Sequence, residues 1–137
     1  MILEKPRKLR VLVADDNDDI RRAIVSILQE EFEVVDQAQC GLELVSLASA
    51  LTPDVIVSDL VMPLLSGLEA MRALRTAGDT TPFVLVTAST GDALEWINLG
   101  ALAVVSKLDL DQELVTAVKS ALAGFSYLSK HAKRPYS

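Results

Sequence analysis

Short apolar runs alternate along the chain with segments in which apolar residues recur every three or four positions. An apolar run of about four to eight residues is typical of a buried strand, and the longer spacing is typical of one face of a helix. The runs predict five strands, at 9–14, 32–38, 54–59, 82–88 and 101–106. The remaining segments predict five helices, of which the fourth, at about 92–99, has the weakest pattern.

The regular alternation of strand and helix determines the predicted fold class. The strands are rich in Val, Ile and Leu on both sides of the pleat, which is typical of a parallel sheet covered on both faces. We therefore expect an α/β fold, a doubly wound five-stranded parallel sheet with helices on both faces. A chain of 137 residues has the size of one domain, which we place at 9–129, with an N-terminal extension at 1–8 and a tail or the start of a linker at 130–137.

The acidic composition narrows the range of partners. Asp and Glu outnumber Lys and Arg by 19 to 13, for a formal net charge of -6, whereas a domain that binds nucleic acid by itself is usually basic. We therefore expect no nucleic acid bound by this chain. The single cysteine, Cys40, excludes an internal disulfide. The longest apolar stretches fall short of the ~20 residues of a membrane-spanning helix, so we expect a cytoplasmic protein with no membrane contact.

Polar side chains stand at the carboxyl ends of four of the five predicted strands. They are Asp15 and Asp16 after the first strand, Asp59 at the end of the third, Thr87 in the fourth and Lys107 after the fifth. In a doubly wound sheet these ends meet at one edge, where ligands bind. Taken singly, each residue has an ordinary explanation as a helix cap, a turn residue, a packed hydroxyl or a solvated amine.

Taken together, the five residues predict phosphoryl chemistry. Three close carboxylates repel one another unless a cation lies among them, and a hard divalent ion such as Mg²⁺ (or Mn²⁺) prefers oxygen ligands. The three Asp carry three negative charges, which Lys107 and one divalent ion would neutralise. An Asp carboxylate can act as a covalent nucleophile while a metal, a Lys and a Thr stabilise the transferring oxygens. We therefore expect Asp59 to accept a phosphoryl group.

Four segments closely resemble the response-regulator receiver domain of two-component signalling: VLVADDN, VIVSDLVMPLLSGLE, VLVTAS and GALAVVSK. The resemblance covers about residues 9–127 and implies the flavodoxin-like strand order 2-1-3-4-5. It implies a sensor histidine kinase or a phosphotransfer protein as partner, and a domain that catalyses its own phosphorylation without being a turnover enzyme. It assigns the phosphoacceptor role to Asp59, metal binding to Asp15, Asp16, Asp59 and the backbone carbonyl of Val61, and phosphoryl binding to Thr87 and Lys107.

Two positions depart from the family pattern, and a third, Val61, bears on the lifetime of the phosphorylated form. Val104 stands where many receivers carry a Tyr or Phe that swings inward on activation, so the usual aromatic switch is absent. Leu108 follows Lys107 where a cis proline is frequent; because a cis bond without proline costs about 2.5 to 4 kcal/mol, we expect a trans peptide. Val61 offers no polar side chain to hold an attacking water, which predicts slow self-dephosphorylation.

The C-terminal run ELVTAVKSALAGFSYLSKHA resembles the receivers of LuxR-type, helix-turn-helix transcription regulators. This implies control of transcription through a DNA-binding domain absent from this chain. We expect a partner or homodimer face on the fourth helix, fifth strand and fifth helix, with Trp96, Ile97 and Leu102 as contacts; alternatively these are core or scattered surface residues. His131, the only histidine, is predicted to be a solvated surface residue.

Three other classes share parts of this chemistry. A phosphatase of the haloacid dehalogenase type also uses an Asp nucleophile and Mg²⁺, but its usual D-x-D differs from the adjacent aspartates found here. A flavodoxin-like cofactor binder needs a phosphate-cradling loop after the first strand, and ADDNDD repels phosphate unless a metal is bound. A stand-alone or degenerate receiver, acting as a phosphorylation-independent binding module, remains the alternative that Val104 favours.

Overall fold

The computed structural model describes residues 7–88 and 91–133, in which strands and helices alternate as predicted. The strands are β1 (Arg10–Ala14), β2 (Glu33–Ala38), β3 (Val55–Asp59), β4 (Phe83–Thr87), β5 (Ala103–Ser106) and β6 (Tyr127–Leu128). The helices are α1 (Asp18–Leu28), α2 (Gly41–Leu51), α3 (Gly67–Thr76), α4 (Ala93–Asn98) and α5 (Leu110–Leu122), and a single 3-10 turn, Lys107–Asp109, precedes α5.

The strands form one parallel sheet in the order β2-β1-β3-β4-β5-β6. The first five follow the predicted order 2-1-3-4-5, but the prediction of five strands is wrong because β6 extends the edge beyond β5. With only two residues, β6 is too short for an apolar pattern to reveal it. The chain reaches this edge after Gly124, whose φ of 85° lies in the left-handed region that glycine adopts without strain.

Alternate strand residues pack on opposite faces of the sheet, as its doubly wound architecture requires. Leu12 and Ile56 belong to a core cluster that includes residues of α2, α3 and α4. Their neighbours Val11 and Val55 belong to a second cluster with residues of α1 and α5. Burial of these apolar surfaces, worth roughly 25 cal/mol per Å², holds the carboxyl ends of the strands in fixed register.

The predicted partner contacts lie largely within this core. Trp96 is 8% exposed and belongs to the first cluster, so it is a core residue and not an exposed contact. Ile97 is half-buried against the same cluster, and Leu102 is half-buried against the second one. The expectation of an open apolar face built from these three side chains therefore fails for Trp96, and the alternative core role describes it.

The ends of the predicted domain are only partly described. Residues 1–6 of the predicted N-terminal extension and residues 134–137 of the predicted tail lie outside the described residues. Residues 130–133 of that tail are described, and Ala132 is 2% exposed. Among the described helices, none combines the length and the apolar character needed to cross a membrane.

Candidate phosphoryl and metal site

The structure brings the three predicted carboxylates together at the carboxyl edge of the sheet. β1 lies beside β3 with Ala14 opposite Ser58, so the next residues, Asp15 and Asp59, leave the sheet side by side. Asp15, Asp16 and Asp59 each offer a carboxylate oxygen, and these oxygens lie within 4.8 Å of one another. Asp15 is fully buried and Asp59 is 4% exposed, whereas Asp16 is exposed.

Helix capping accounts for a neighbour of the acidic pair and not for the pair itself. Asn17 is the N-cap of α1, and its side chain accepts a hydrogen bond from the backbone N–H of Ile20 at 2.9 Å. The backbone N–H of Asn17 in turn donates to Asp15 Oδ1 at 2.9 Å. The cap therefore orients the Asp15 carboxylate toward the sheet edge, and Asp15 and Asp16 require another explanation.

Arg21 supports the acidic loop and was missed in the sequence. It is 8% exposed, and its guanidinium donates to the backbone carbonyl of Asp15 at 2.9 Å, to Gln37 Oε1 at 3.1 Å and to Asp18 Oδ1 at 2.6 Å. A lone Arg on a helix is normally solvated, so the residue type alone does not predict a buried role. The signal present in the sequence was its spacing, three residues before the buried Ile24 on the apolar face of α1.

Thr87 and Lys107 reach the same edge from the two following strands. Asp59 lies opposite Val86, so Thr87 is one residue further along β4 than the partner of Asp59. Thr87 in turn lies opposite Ser106, so Lys107 is one residue further along than the partner of Thr87. Thr87 is 2% exposed. The Nζ atom of Lys107 lies 3.4 Å from Asp59 Oδ2 and 3.9 Å from Asp15 Oδ2. The described residues contain no cis peptide, which confirms the trans bond predicted between Lys107 and Leu108.

Electrostatics make the pocket unfavourable for two ionised carboxylates. Burial, followed by the charge of Asp15, raises the pKa of Asp59 to about 6, although Lys107 opposes the increase. Burial also raises the pKa of Asp15, against the hydrogen bond from Asn17 and the charge of Lys107. Within residues 7–88 and 91–133, Asp15 Oδ2 is the one buried side-chain oxygen or nitrogen that lacks a hydrogen-bond partner. An unsatisfied carboxylate oxygen beside two further carboxylates fits a hard divalent cation.

The loop after Asp59 approaches the site closely because of Gly67. A Cβ atom at this position would lie 2.2 Å from the backbone oxygen of Asp59, so only glycine fits. The N–H of Gly67 donates to the carbonyl of Leu60 at 2.9 Å, closing the loop. Gly67, eight residues after Asp59, thus has a steric role beside that residue.

Backbone strain is concentrated in the same loop. Leu64 and Leu65 have φ angles of 62° and 146°, in a region that side-chain-bearing residues adopt at a cost. The N-cap Ser66 and Glu69 form a capping box at the start of α3, which anchors the far end of the loop. Val61 lies near the beginning of the loop, and it is 72% exposed.

Two further positions differ in their environment. Val104 is fully buried and pairs in register with Leu85 on one side and Leu128 on the other. His131 is a surface residue, as predicted, with a side chain that is 46% exposed, but it also has a specific partner. Its Nδ1 lies 2.5 Å from Asp109 Oδ1 and its backbone N–H donates to Asp109 Oδ2 at 2.7 Å, because β6 carries the tail back over the start of α5.

Comparison with known proteins identifies the family to which most of the chain is similar. Residues 11–119 match the family described as response regulator receiver domain. The response regulator GacA of Pseudomonas aeruginosa is 36% identical over 125 residues, which cover 88% of this chain and 58% of that protein. The response regulator UvrY of Escherichia coli O157:H7 is 31% identical over 125 residues, covering 88% and 57%. The chain thus spans somewhat more than half the length of these relatives.

The fold of a solved relative agrees with this match. The structure of a two-component response regulator of the LuxR family from Aurantimonas sp. SI85-9A1 superposes with a TM-score of 0.85 at 29% identity, covering 91% of this chain and 92% of that one. Receiver domains of response regulators interact with histidine kinases or phosphotransfer proteins. The chain belongs to the response regulator receiver domain family of two-component systems.

Proposed function

We propose that this receiver works by accepting a phosphoryl group on Asp59. The observation that carries the proposal is the pairing of a buried carboxylate, Asp59, with a cation, Lys107 Nζ, 3.4 Å away and an unsatisfied oxygen of Asp15 beside it. A pKa of about 6 leaves Asp59 mainly ionised at neutral pH, as a nucleophile must be.

The acidic cluster fits a bound Mg²⁺ or Mn²⁺. Asp15, Asp16, Asp59 and the backbone carbonyl of Val61 would hold the ion. Asp15 Oδ2, which has no hydrogen-bond partner among the described residues, supports this assignment. When bound, the ion supplies positive charge that offsets the carboxylates and the incoming phosphoryl oxygens. Lys107 provides part of that compensation from the protein itself.

The transfer step follows from the positions of these residues. A carboxylate oxygen of Asp59 attacks the phosphorus of a phosphohistidine on a sensor kinase or phosphotransfer protein. The new O–P bond forms as the N–P bond breaks, and the electron pair stays on the imidazole nitrogen, which then takes a proton from solvent. Lys107 and the hydroxyl of Thr87 donate hydrogen bonds to phosphoryl oxygens and stabilise their charge.

Intact-mass analysis after incubation with acetyl phosphate tests the proposal. We expect a base-labile gain of one phosphoryl group that needs Mg²⁺ and is lost with a chelator or in Asp59→Asn. The exposed Asp111→Asn serves as matched control and keeps the gain. Continuous release of inorganic phosphate over many turnovers would instead indicate a phosphatase, and a folded protein with no gain would favour the phosphorylation-independent binding module.

The lifetime of the phosphorylated form depends on Val61. Its side chain is exposed and apolar two residues after Asp59, so it cannot orient a water for attack. We expect slow loss of the phosphoryl group and faster loss in Val61→Asn, followed by intact mass over time in Mg²⁺ buffer. A lifetime of seconds in the unchanged protein would contradict this view.

The output of the switch is transcription control through a DNA-binding domain of the LuxR type. The support is the identity of the relatives: the similar structure from Aurantimonas is a LuxR-family response regulator, and a Bacillus subtilis relative at 32% identity is a transcriptional regulatory protein. Reading the gene beyond Ser137 tests this, because a helix-turn-helix domain is expected there.

Homodimerisation on the face of α4, β5 and α5 is a separate part of the proposal. Leu94 on α4 and Phe125 after α5 are 61% and 70% exposed, and exposed apolar residues favour burial in an interface. We expect phosphorylated protein to sediment faster than unphosphorylated protein at micromolar concentration. Equal sedimentation of the two forms would argue against this dimer.

A further inference from the structure

The turn that carries Lys107 has no proline to restrict its backbone, and its own residues restrain it only weakly. Leu108 follows Lys107 and is 76% exposed, so its side chain anchors nothing. Within the turn, the backbone N–H of Leu108 donates to Ser106 Oγ at 3.2 Å. The position of the Lys107 backbone must therefore depend on contacts made from outside the turn.

These contacts come from residues 127–133, which we call the C-terminal strap. Ser129, at the centre of the strap, is fully buried. The backbone N–H of Ser106 donates to Ser129 Oγ at 2.8 Å, and the N–H of Ser129 donates to the carbonyl of Val104 at 3.0 Å. The strap thus fixes the residue immediately before Lys107.

The strap also fixes the residue two positions after Lys107. Asp109 is the N-cap of α5, yet its side chain makes no capping hydrogen bond. Its carboxylate accepts instead from the backbone N–H of His131 at 2.7 Å and lies 2.5 Å from the ring Nδ1. Burial acts to raise the pKa of Asp109, but hydrogen bonds from Ser129 and His131 outweigh it and hold that pKa below its ordinary value.

A second pair of contacts holds the strap without touching the turn. Tyr127 donates from its hydroxyl to Glu113 Oε1 at 2.6 Å, and the backbone N–H of Lys130 donates to Glu113 Oε2 at 2.8 Å. These bonds attach the strap to α5. Contacts that stabilise the strap and contacts that fix the Lys107 turn are therefore made by different residues and can be tested separately.

We infer that Ser129 and Asp109 are positioning residues for Lys107: the C-terminal strap clamps both ends of the turn and holds Nζ against Asp59. The inference rests on the proposed phosphoacceptor function, because its consequence is a site arranged for phosphoryl oxygens before they arrive. The strap supplies a restraint that a proline after Lys107 would otherwise provide by fixing its own φ.

The test compares two ligands on the full chain. Beryllofluoride with Mg²⁺ serves as the phosphoryl analogue, followed by fluorine NMR, and Mg²⁺ alone is titrated separately. In Ser129→Ala we expect about three- to tenfold weaker beryllofluoride binding, because both ends of the turn lose a buried hydrogen bond and Lys107 is held less firmly. Mg²⁺ affinity does not fall, because Lys107 is not among the proposed metal ligands and its positive charge competes with that of the ion. Amide hydrogen exchange at Ser106 and Leu108 becomes faster in the same variant.

Two control variants separate positioning from stability. Tyr127→Phe loses a bond that anchors the strap but not the turn, so it lowers stability and leaves beryllofluoride binding unchanged. Ser126→Ala, at the exposed residue immediately before the strap, changes neither. If Ser129→Ala does not fold, Asp109→Asn takes its place, with the same split expected between the two ligands.

The outcomes are distinct. Weaker beryllofluoride binding without a loss of Mg²⁺ affinity supports the inference. Unchanged beryllofluoride binding in Ser129→Ala, or an equal loss for both ligands, overturns it, since the strap would then be only structural. Failure of the protein without substitutions to bind beryllofluoride overturns the proposed function and the inference with it. This outcome is distinct because it is seen in the unsubstituted protein, whereas the other outcomes are seen only in the variants.

Discussion

Buried carboxylates at two places in this domain have pKa values that are shifted in opposite directions. Asp15 and Asp59, in the pocket, are 0% and 4% exposed, and Asp109 at the C-terminal strap is also 4% exposed. Yet the pKa of Asp59 is raised by burial to about 6, whereas hydrogen bonds hold the pKa of Asp109 below its ordinary value despite burial. Equally low solvent exposure therefore does not produce equal pKa shifts, and hydrogen-bond donors to Asp109 have no counterpart of the same number at Asp59.

The difference separates a carboxylate whose charge is compensated within the fold from carboxylates that are suited to bind a ligand. Asp109 receives donors from His131 and Ser129, so its charge is compensated within the fold. Asp15 keeps one oxygen without a hydrogen-bond partner among the described residues. A fold that compensated the pocket in the same way would leave no oxygen free for a metal ion.

The backbone shows the same contrast. Of the three described residues other than glycine with positive φ, Leu64 and Leu65 lie in the loop after Asp59, and Thr52 lies at the end of α2. The strap contains none. Strained backbone is retained where the surrounding structure enforces it, frequently beside functional groups. The pocket thus combines electrostatic and conformational strain, and the strap has neither.

The largest expected effect is the pH dependence of stability. Because the folded pKa of Asp59, about 6, exceeds its ordinary value of 3.8, the folded state binds this proton more tightly. Its contribution is fully present below the ordinary value and is lost as the pH rises to about 6, amounting to about 3 kcal/mol. We expect the free energy of unfolding of Asp59→Asn to exceed that of the unchanged protein by about this amount at pH 7 without metal.

Urea unfolding in chelator between pH 4 and pH 7 measures the difference between these two proteins. A difference that stays constant over this range would show that the pocket is not strained by the Asp59 charge. Asp111→Asn, at an exposed site, is the control and should differ from the unchanged protein by less than about 0.5 kcal/mol at every pH.

Metal binding should reverse the penalty in the pocket. Mg²⁺ at about one hundred times its Kd is expected to raise the free energy of unfolding by about 2.7 kcal/mol, since it binds only the folded acidic cluster. The gain should be much smaller in Asp59→Asn and unchanged in Asp109→Asn. Equal gains in all three proteins, measured by urea unfolding, would indicate binding elsewhere.

Neutralising Asp109, the carboxylate that the strap contacts, should change stability in the opposite direction. Asp109→Asn is expected to lower the free energy of unfolding by about 1 to 2 kcal/mol at pH 7, because it weakens hydrogen bonds to a buried acceptor. As the pKa of Asp109 is lowered in the folded state, its contribution is present above the ordinary value and lost as the pH falls through the folded one. A stabilised Asp109→Asn would remove the contrast with Asp59.

The smallest expected effect concerns the strained loop. Leu64 is 69% exposed, so Leu64→Gly loses little packing, while glycine adopts the φ of 62° without strain. We expect a gain of about 0.5 kcal/mol in the free energy of unfolding. The matched Leu99→Gly, at a residue with φ of -84°, should lose stability instead; a loss in both variants would argue against strain at Leu64.

The sequence was sufficient for the features that follow from strand ends. Because a parallel sheet brings its carboxyl ends to one edge, the sequence alone predicts that Asp15, Asp59, Thr87 and Lys107 lie together. The strand order of β1 to β5 was likewise predictable from the resemblance. These features depend on apolar runs and on a motif, both of which are local in the chain.

The features that were missed depend on contacts between distant segments. The pairing of His131 with Asp109 joins residues separated by 22 positions, and the sequence around either residue contains no pattern that predicts the pair. β6 has two residues and no apolar periodicity. Arg21 looked like an ordinary helix residue until Gln37 and the carbonyl of Asp15 were found beside it. Tertiary context, and not local pattern, determines these roles.

Location of the covalent change tests the central claim most directly. Protein incubated with acetyl phosphate and Mg²⁺ is reduced with borohydride, which converts an aspartyl phosphate to homoserine, and the peptides are sequenced by mass spectrometry. The account predicts homoserine at position 59 and at no other aspartate, with Asp109 unchanged. Homoserine at another aspartate, or none in a folded protein that binds Mg²⁺, would contradict it.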